Sequence, residues 1–97
     1  MLKDDTDKGI GLEVIPSIAA THRLQWEEAQ NCHVILYPEG MVKLSPSSAE
    51  ILQLCDGRKK IKMIVNELQE KFTETDLEND ILNFLEVAHS NGWIRTK

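Results

Sequence analysis

The sequence predicts an α+β fold: a three-stranded antiparallel sheet followed by a three-helix bundle, a winged-helix-like β3α3 arrangement. Three observations carry that expectation. Apolar residues recur with a period of two from Arg23 to Leu44 and with a helical period from Ala49 onward. Gly and Pro punctuate the chain where one pattern gives way to the next. The length, 97 residues, suffices for one small core.

Taking the elements in order, Met1–Glu13 is charged, contains Gly9 and Gly11, and reads as a mobile tail ahead of a domain spanning residues 14–97. Val14, Ile15, Ile18 and Ala19 are placed to pin the next stretch to the core, and Pro16 keeps it out of a regular helix. In Arg23–Glu28, Leu24 and Trp26 alternate with Arg23, Gln25 and Glu27, which is strand period. Trp26 is expected to be half core, with its N–H near water. Gln30-Asn31 suits a turn, and Cys32–Tyr37 reads as the buried central strand. Pro38-Glu39-Gly40 then makes a tight hairpin, with Pro presetting φ and Gly free to take positive φ. Met41–Leu44 is the third strand, Val42 and Leu44 pointing one way and Met41 and Lys43 the other.

Ser45 is a natural N-cap for the first helix, with Pro46 at its first position, and Ser47 with Glu50 offers a competing capping box. Ala49, Ile51, Leu52 and Cys55 face inward, and Asp56-Gly57 is the expected stop, Gly57 acting as C-terminal cap. The second helix has Ile61, Ile64, Val65, Leu68 and Phe72 on one face. Its start is unfavourable, because Arg58, Lys59, Lys60 and Lys62 crowd the positive end of the helix dipole. The third helix opens at Thr75, with Glu78 completing a capping box, and ends at Gly92. Leu77, Ile81, Phe84, Leu85 and Ala88 form its stripe, widened by Leu82 on one flank and Val87 on the other. Trp93-Ile94 should fold back onto the core.

Composition excludes several functions. Eleven Lys and Arg against sixteen Asp and Glu leave a net charge of −5, the wrong sign for gripping phosphates. A winged-helix DNA-binding or transcription-associated protein is the alternative to weigh. Its recognition helix would be the third, yet Asp76–His89 carries Asp76, Glu78, Asp80 and Glu86 and no Lys or Arg. There is no nucleophile elbow, no phosphate-cradling glycine loop and no HExxH, so neither an enzyme nor a bound cofactor is expected. His22, Cys32, His33, Cys55 and His89 lack paired metal-ligand spacing and read as structural. Two cysteines outside any CxxC, an N-terminus without an apolar signal core, and a longest apolar run of only Val34–Tyr37 point to a cytoplasmic protein with reduced thiols.

A peptide site is the positive expectation. The third strand is a sheet edge with free backbone donors and acceptors, and the third helix can wall a groove beside it. Ordering five peptide residues costs on the order of 5–10 kcal/mol of backbone entropy, while each net hydrogen bond returns about 0.5–1.5 kcal/mol. Two or three apolar anchors, at roughly 1.5–3 kcal/mol apiece, must therefore be buried as well. Met41, Val42, Lys43, Leu44 and Ser45 on the strand, with Ile81, Leu82 and Leu85 on the helix, are the candidate contacts, Leu82 the foremost on the helix. An exposed edge also invites pairing or hairpin swapping with a second copy of an otherwise monomeric chain.

The ordered set Arg23-Leu24-Gln25-Trp26-Glu27, Leu36–Leu44, Ala49-Glu50-Ile51-Leu52, Leu54-Cys55-Asp56-Gly57, Phe84-Leu85 and Gly92-Trp93 resembles the PqqD family from about Pro16 to Ile94. That resemblance implies a non-catalytic peptide chaperone of pyrroloquinoline quinone (PQQ) biosynthesis. Such a chaperone binds the precursor peptide PqqA and presents it to PqqE, a radical S-adenosylmethionine enzyme. It also implies binding between the third strand and third helix, here Met41–Ser45 and Leu77–Ala88, and Arg23, Arg58, Lys59 and Lys60 become candidate partner contacts. Two departures stand out. The family tends to place Thr after a single basic residue where this chain has Lys59-Lys60, which removes a helix cap, and often has Asn where this chain has Ser45, which keeps one.

Overall fold

The computed structural model describes residues 10–72 and 76–97. Strands β2 (Arg23–Glu27), β3 (Cys32–Tyr37) and β4 (Gly40–Lys43) form an antiparallel sheet in the order β2-β3-β4. Helices α1 (Pro46–Gln53), α2 (Ile61–Lys71) and α3 (Glu78–Ser90) follow. The α+β class, the three-stranded sheet and the three helices are those expected. Val34 and Ile35 of the central strand have no exposed surface. Ile35 and Leu44 meet Leu52, Ile61, Ile64, Leu68, Ile81 and Leu85 from the helices in one core.

A second, two-stranded sheet was not anticipated. β1 (Pro16–Ile18) pairs antiparallel with β5 (Ile94–Thr96), Ile18 opposite Ile94. Three residues are too few for a legible alternation, and their partners lie at the far end of the chain. The pairing is fixed from both sides: Ile15 and Lys97 exchange N–H···O bonds of 3.0 Å, and the Ala19 N–H donates to the Trp93 carbonyl at 2.9 Å.

The turns divide between agreement and correction. Asn31 takes φ 56° in the β2–β3 turn, a conformation Asn tolerates. Gly40 does not adopt positive φ; it lies in β4 opposite Tyr37, so the hairpin is closed by Pro38-Glu39 alone. α1 starts as expected, the Ser48 N–H donating to the Ser45 Oγ at 3.2 Å. It ends at Leu54, before Asp56-Gly57, and Gly57 (φ 81°) instead donates its N–H to the Pro16 carbonyl at 3.0 Å. α3 ends in a full glycine motif: Gly92 (φ 80°) donates to His89 O at 3.0 Å and Trp93 to Ala88 O at 2.9 Å. Thr75, the expected cap of α3, lies outside the described residues. The free donors there are met otherwise, Leu77 N–H by Gln69 Oε1 at 2.8 Å and Glu78 N–H by Asp76 Oδ1 at 3.1 Å.

The unfavourable start of α2 is resolved by tertiary structure. Lys60 occupies the N-cap position, and its side chain caps no helix N–H. Two orphan donors, the N–H groups of Ile61 and Lys62, go to the carbonyls of Val14 and Leu12 at 2.8 and 2.9 Å. Glu13 sits between them and bridges Lys60 at 2.8 Å and Lys62 at 3.0 Å. The segment read as the end of a tail thus caps a helix, and Ile10 and Leu12 pack against the core.

Candidate functional site

The outer edge of β4 has no neighbouring strand among the described residues. Its hydrogen-bond phase follows from one contact. The Leu44 N–H donates to the His33 carbonyl at 3.0 Å, so Leu44–His33 is a hydrogen-bonded pair. Pairs two residues apart share that phase, so Val42 also turns its backbone groups toward β3. Met41 and Lys43 therefore direct N–H and C=O outward, where an added strand would meet them.

Side chains divide the same way. Leu24, Trp26, His33, Ile35, Val42 and Leu44 share the face toward the helices, while Met41 and Lys43 stand on the other. Beside the hairpin, Val42, Tyr37, Glu39 and His22 surround a cleft of about 500 Å³ closed by Asn91 and Trp93 from the end of α3. The His22 and Tyr37 rings stack with centroids 5.7 Å apart. At the other end of α3, a hollow of about 270 Å³ opens between the three helices, lined by Ser47, Ser48 and Ile51 of α1, Leu68 and Phe72 from α2 and its end, and Leu77, Ile81 and Phe84. Phe84 reaches from this hollow toward Trp93, ring centroids 6.4 Å apart. On α3, Asp80, Phe84, Val87 and Asn91 follow one another at spacings of four, three and four, a continuous row on one flank.

The expected contacts fall into three groups. Val42 lines the hairpin cleft, and Ile81, almost fully buried, lies at the floor of the helical hollow. Met41 and Lys43 are exposed, contributing backbone rather than inward side chains, and Ser45 is exposed but committed to capping α1. Leu44 is core, and Leu85 has no exposed surface and so offers none to a ligand. Leu82 is half-buried and lines neither hollow, because it projects from the flank of α3 opposite the Asp80–Phe84–Val87 row. The two hollows are also lined by Phe84, Asn91, Trp93, Tyr37 and His22, none of them among the expected contacts. The sequence signal for the flank bearing Phe84 was the apolar Val87 at the edge of the α3 stripe, which the structure leaves 54% exposed.

The candidate partner contacts are partly occupied within the chain. Lys59 pairs with Asp56 at 2.9 Å and Lys60 with Glu13 at 2.8 Å. The Arg58 N–H donates to Asp56 Oδ1 at 2.9 Å while its side chain remains exposed, as does Arg23. The hydrogen bond from Lys59, then that from the Arg58 backbone, hold the Asp56 carboxyl down at about 2. Lys60 and Lys62 hold Glu13 at about 2. Cys32 and Cys55 are free thiols, and burial pushes Cys55 up to about 12, leaving it an unreactive core residue. No cluster of three potential metal ligands occurs among the described residues, and no helix there is long and apolar enough to cross a membrane.

Trp26 is 47% exposed, its ring edge-on to His33 with centroids 5.2 Å apart. Its Nε1–H donates to Glu28 Oε1 at 3.2 Å, so a carboxylate meets the N–H that water was expected to meet.

Fold and site together define a small α+β domain whose sheet presents an open edge beside its last helix. The family model for coenzyme PQQ synthesis protein D (PqqD) matches residues 32–94, and the chain belongs to that family. It is 55% identical over 84 residues to a PqqA binding protein of Azotobacter vinelandii, covering 86% of this chain and 91% of that one. A PqqA binding protein of Methylococcus capsulatus is 51% identical over 73 residues, 75% and 78% of the two chains. Among solved structures, the solution structure of the PqqD truncation of Methylobacterium extorquens PqqCD superposes with a TM-score of 0.69 at 28% identity. That match covers 82% of this chain and 87% of the other, which is described as a functional, stand-alone recognition element for ribosomally synthesized, post-translationally modified peptides.

Proposed function

We propose that this protein binds the precursor peptide PqqA and presents it to the radical S-adenosylmethionine enzyme PqqE in PQQ biosynthesis, as a cytoplasmic binding protein rather than a catalyst. The observation that carries the reading is the likeness to relatives named PqqA binding protein, 55% identical across most of both chains. The open β4 edge supports strand addition as the mode. An extended peptide pairs with the outward groups of Met41 and Lys43, runs toward Ser45, and rests against α3. The β3α3 core is winged-helix-like in this reading, and the protein works as a monomer whose free edge can also pair with a second copy. Arg23 and Arg58, exposed and without an ion pair among the described residues, are the surface left for docking PqqE.

Isothermal titration of synthetic PqqA into the protein, with and without PqqE, tests the proposal. Saturable one-to-one binding in the absence of PqqE, and a ternary complex in its presence, are the expected results. No heat, and no effect of PqqA on the interaction with PqqE, overturns it.

A further inference from the structure

The hollow between the three helices is apolar at its centre and acidic at its rim. Ile51, Leu68, Leu77, Ile81 and Phe84 form its walls, and Phe72 stands 44% exposed at its mouth. At about 270 Å³ it exceeds the roughly 150 Å³ that admits a benzene ring. Two carboxylates border it, Glu50 and Asp80. Glu50 is already met by Lys71 Nζ at 3.0 Å. Asp80 is exposed and has no cationic partner among the described residues. The hollow also continues the strand edge: β4 runs through Leu44 and Ser45 directly into Ser47 and Ser48 on its wall, and the Asp80–Phe84–Val87–Asn91 row links it to the hairpin cleft.

We propose that this hollow seats one bulky apolar side chain of the bound peptide, and that Asp80 selects a Lys or Arg close to that anchor. The inference rests on the PqqA reading and adds its side-chain specificity: the segment recognised is apolar and cationic. An added strand gains mainly backbone bonds, which every peptide can offer. Discrimination must come from side chains, and a pocket just beyond the strand edge with an unpaired carboxylate at its rim supplies both an apolar and a charged criterion. The uneven charging of the rim argues for a base. Lys71 satisfies one carboxylate, and the α3 row bearing the other contains no Lys or Arg.

Two variants at exposed positions test this with the full-length chain and synthetic PqqA. Ser47→Phe fills the hollow from α1 while leaving the β4 edge untouched, and Asp80→Lys reverses the rim charge. Each should weaken PqqA binding by roughly tenfold or more, with far-ultraviolet circular dichroism unchanged. Replacing the peptide's apolar residues one at a time by Ala should reveal one whose loss is not additive with Ser47→Phe, since both remove the same seated side chain from the pocket. If the wild-type protein fails to bind PqqA, the functional reading falls and this inference with it. If it binds and both variants bind equally well, or if weakening by Ser47→Phe couples to no apolar residue of the peptide, the pocket assignment alone is wrong. Should Ser47→Phe lose its fold, Asp80→Lys decides: unchanged affinity overturns the inference, and a loss confined to peptides that keep their Lys and Arg residues upholds it.

Discussion

Ser45 and Glu13 stabilise two helix starts by different means, one capping an N–H and the other neutralising crowded lysines. Ser45 caps α1 from the adjacent position, accepting the Ser48 N–H, as its type and place in the sequence imply. Ser45→Ala should cost about 1 kcal/mol, read as a fall of several degrees in the thermal midpoint. Glu13 acts on Lys60 from 47 residues away in sequence, and bridges Lys62 as well. Its pKa is depressed from 4.5 to about 2, so the folded state favours its charged form. The resulting stabilisation is complete above about pH 4.5 and is lost as pH falls toward 2. Thermal melts of the wild type and Glu13→Gln should therefore differ at pH 6 and converge near pH 2. The difference should shrink in 1 M salt, because the carboxylate is exposed.

At the scale of elements, β4 shows how register turns a sequence pattern into chemistry. Alternation alone separates Val42 and Leu44 from Met41 and Lys43, but it does not say which backbone groups are free. The Leu44–His33 bond decides that. Lys43→Pro removes an outward N–H that pairs with nothing in the sheet, so the domain should stay folded while PqqA binding weakens, by about tenfold. Val42→Pro removes an N–H directed at β3 and should destabilise the sheet itself, by about 3 kcal/mol if Pro acts here as it does in other regular structure. Paired melting and titration curves distinguish the two. α3 carries the parallel lesson. Its wide stripe announced contact on more than one side; the sequence favoured the Leu82 flank, whereas packing half-buries Leu82 and leaves Val87, on the opposite flank, 54% exposed.

For the whole molecule, the two ends of the described chain are held together by β1 and β5. This small sheet packs the N-terminal segment against the base of α3 and beside α2, and its isolated bridge from Ser17 to Asp56 reaches the α1–α2 connection. Ile94, paired with Ile18 at one end of this sheet, is almost fully buried. Ile94→Ala should cost about 2–5 kcal/mol, a large part of the roughly 5–10 kcal/mol available to a domain of this size. Chemical denaturation should show a lower midpoint with an unchanged slope, provided cooperativity persists. The same tie positions Trp93, which closes the hairpin cleft, so the variant should weaken peptide binding as well.

The sequence by itself determined what depends on neighbours along the chain. Periodicity gave three strands and three helices their order, and Ser45, Asn31 and Gly92 their roles, because caps and left-handed turns are set within a few residues. Family resemblance added the expectation of a groove between Met41–Ser45 and α3. Tertiary structure alone decided what depends on residues far apart: the β1–β5 pairing, the capping of α2 by the Leu12 and Val14 carbonyls with Glu13 bridging its lysines, and the flank of α3 that stays open. A run of three residues carries too little pattern to declare a strand, and a Lys-rich helix start looks unfavourable until its distant carboxylate is in place. Leu82 and Phe84 are both apolar residues on the same helix, and which faces a hollow is a matter of where the other two helices lie.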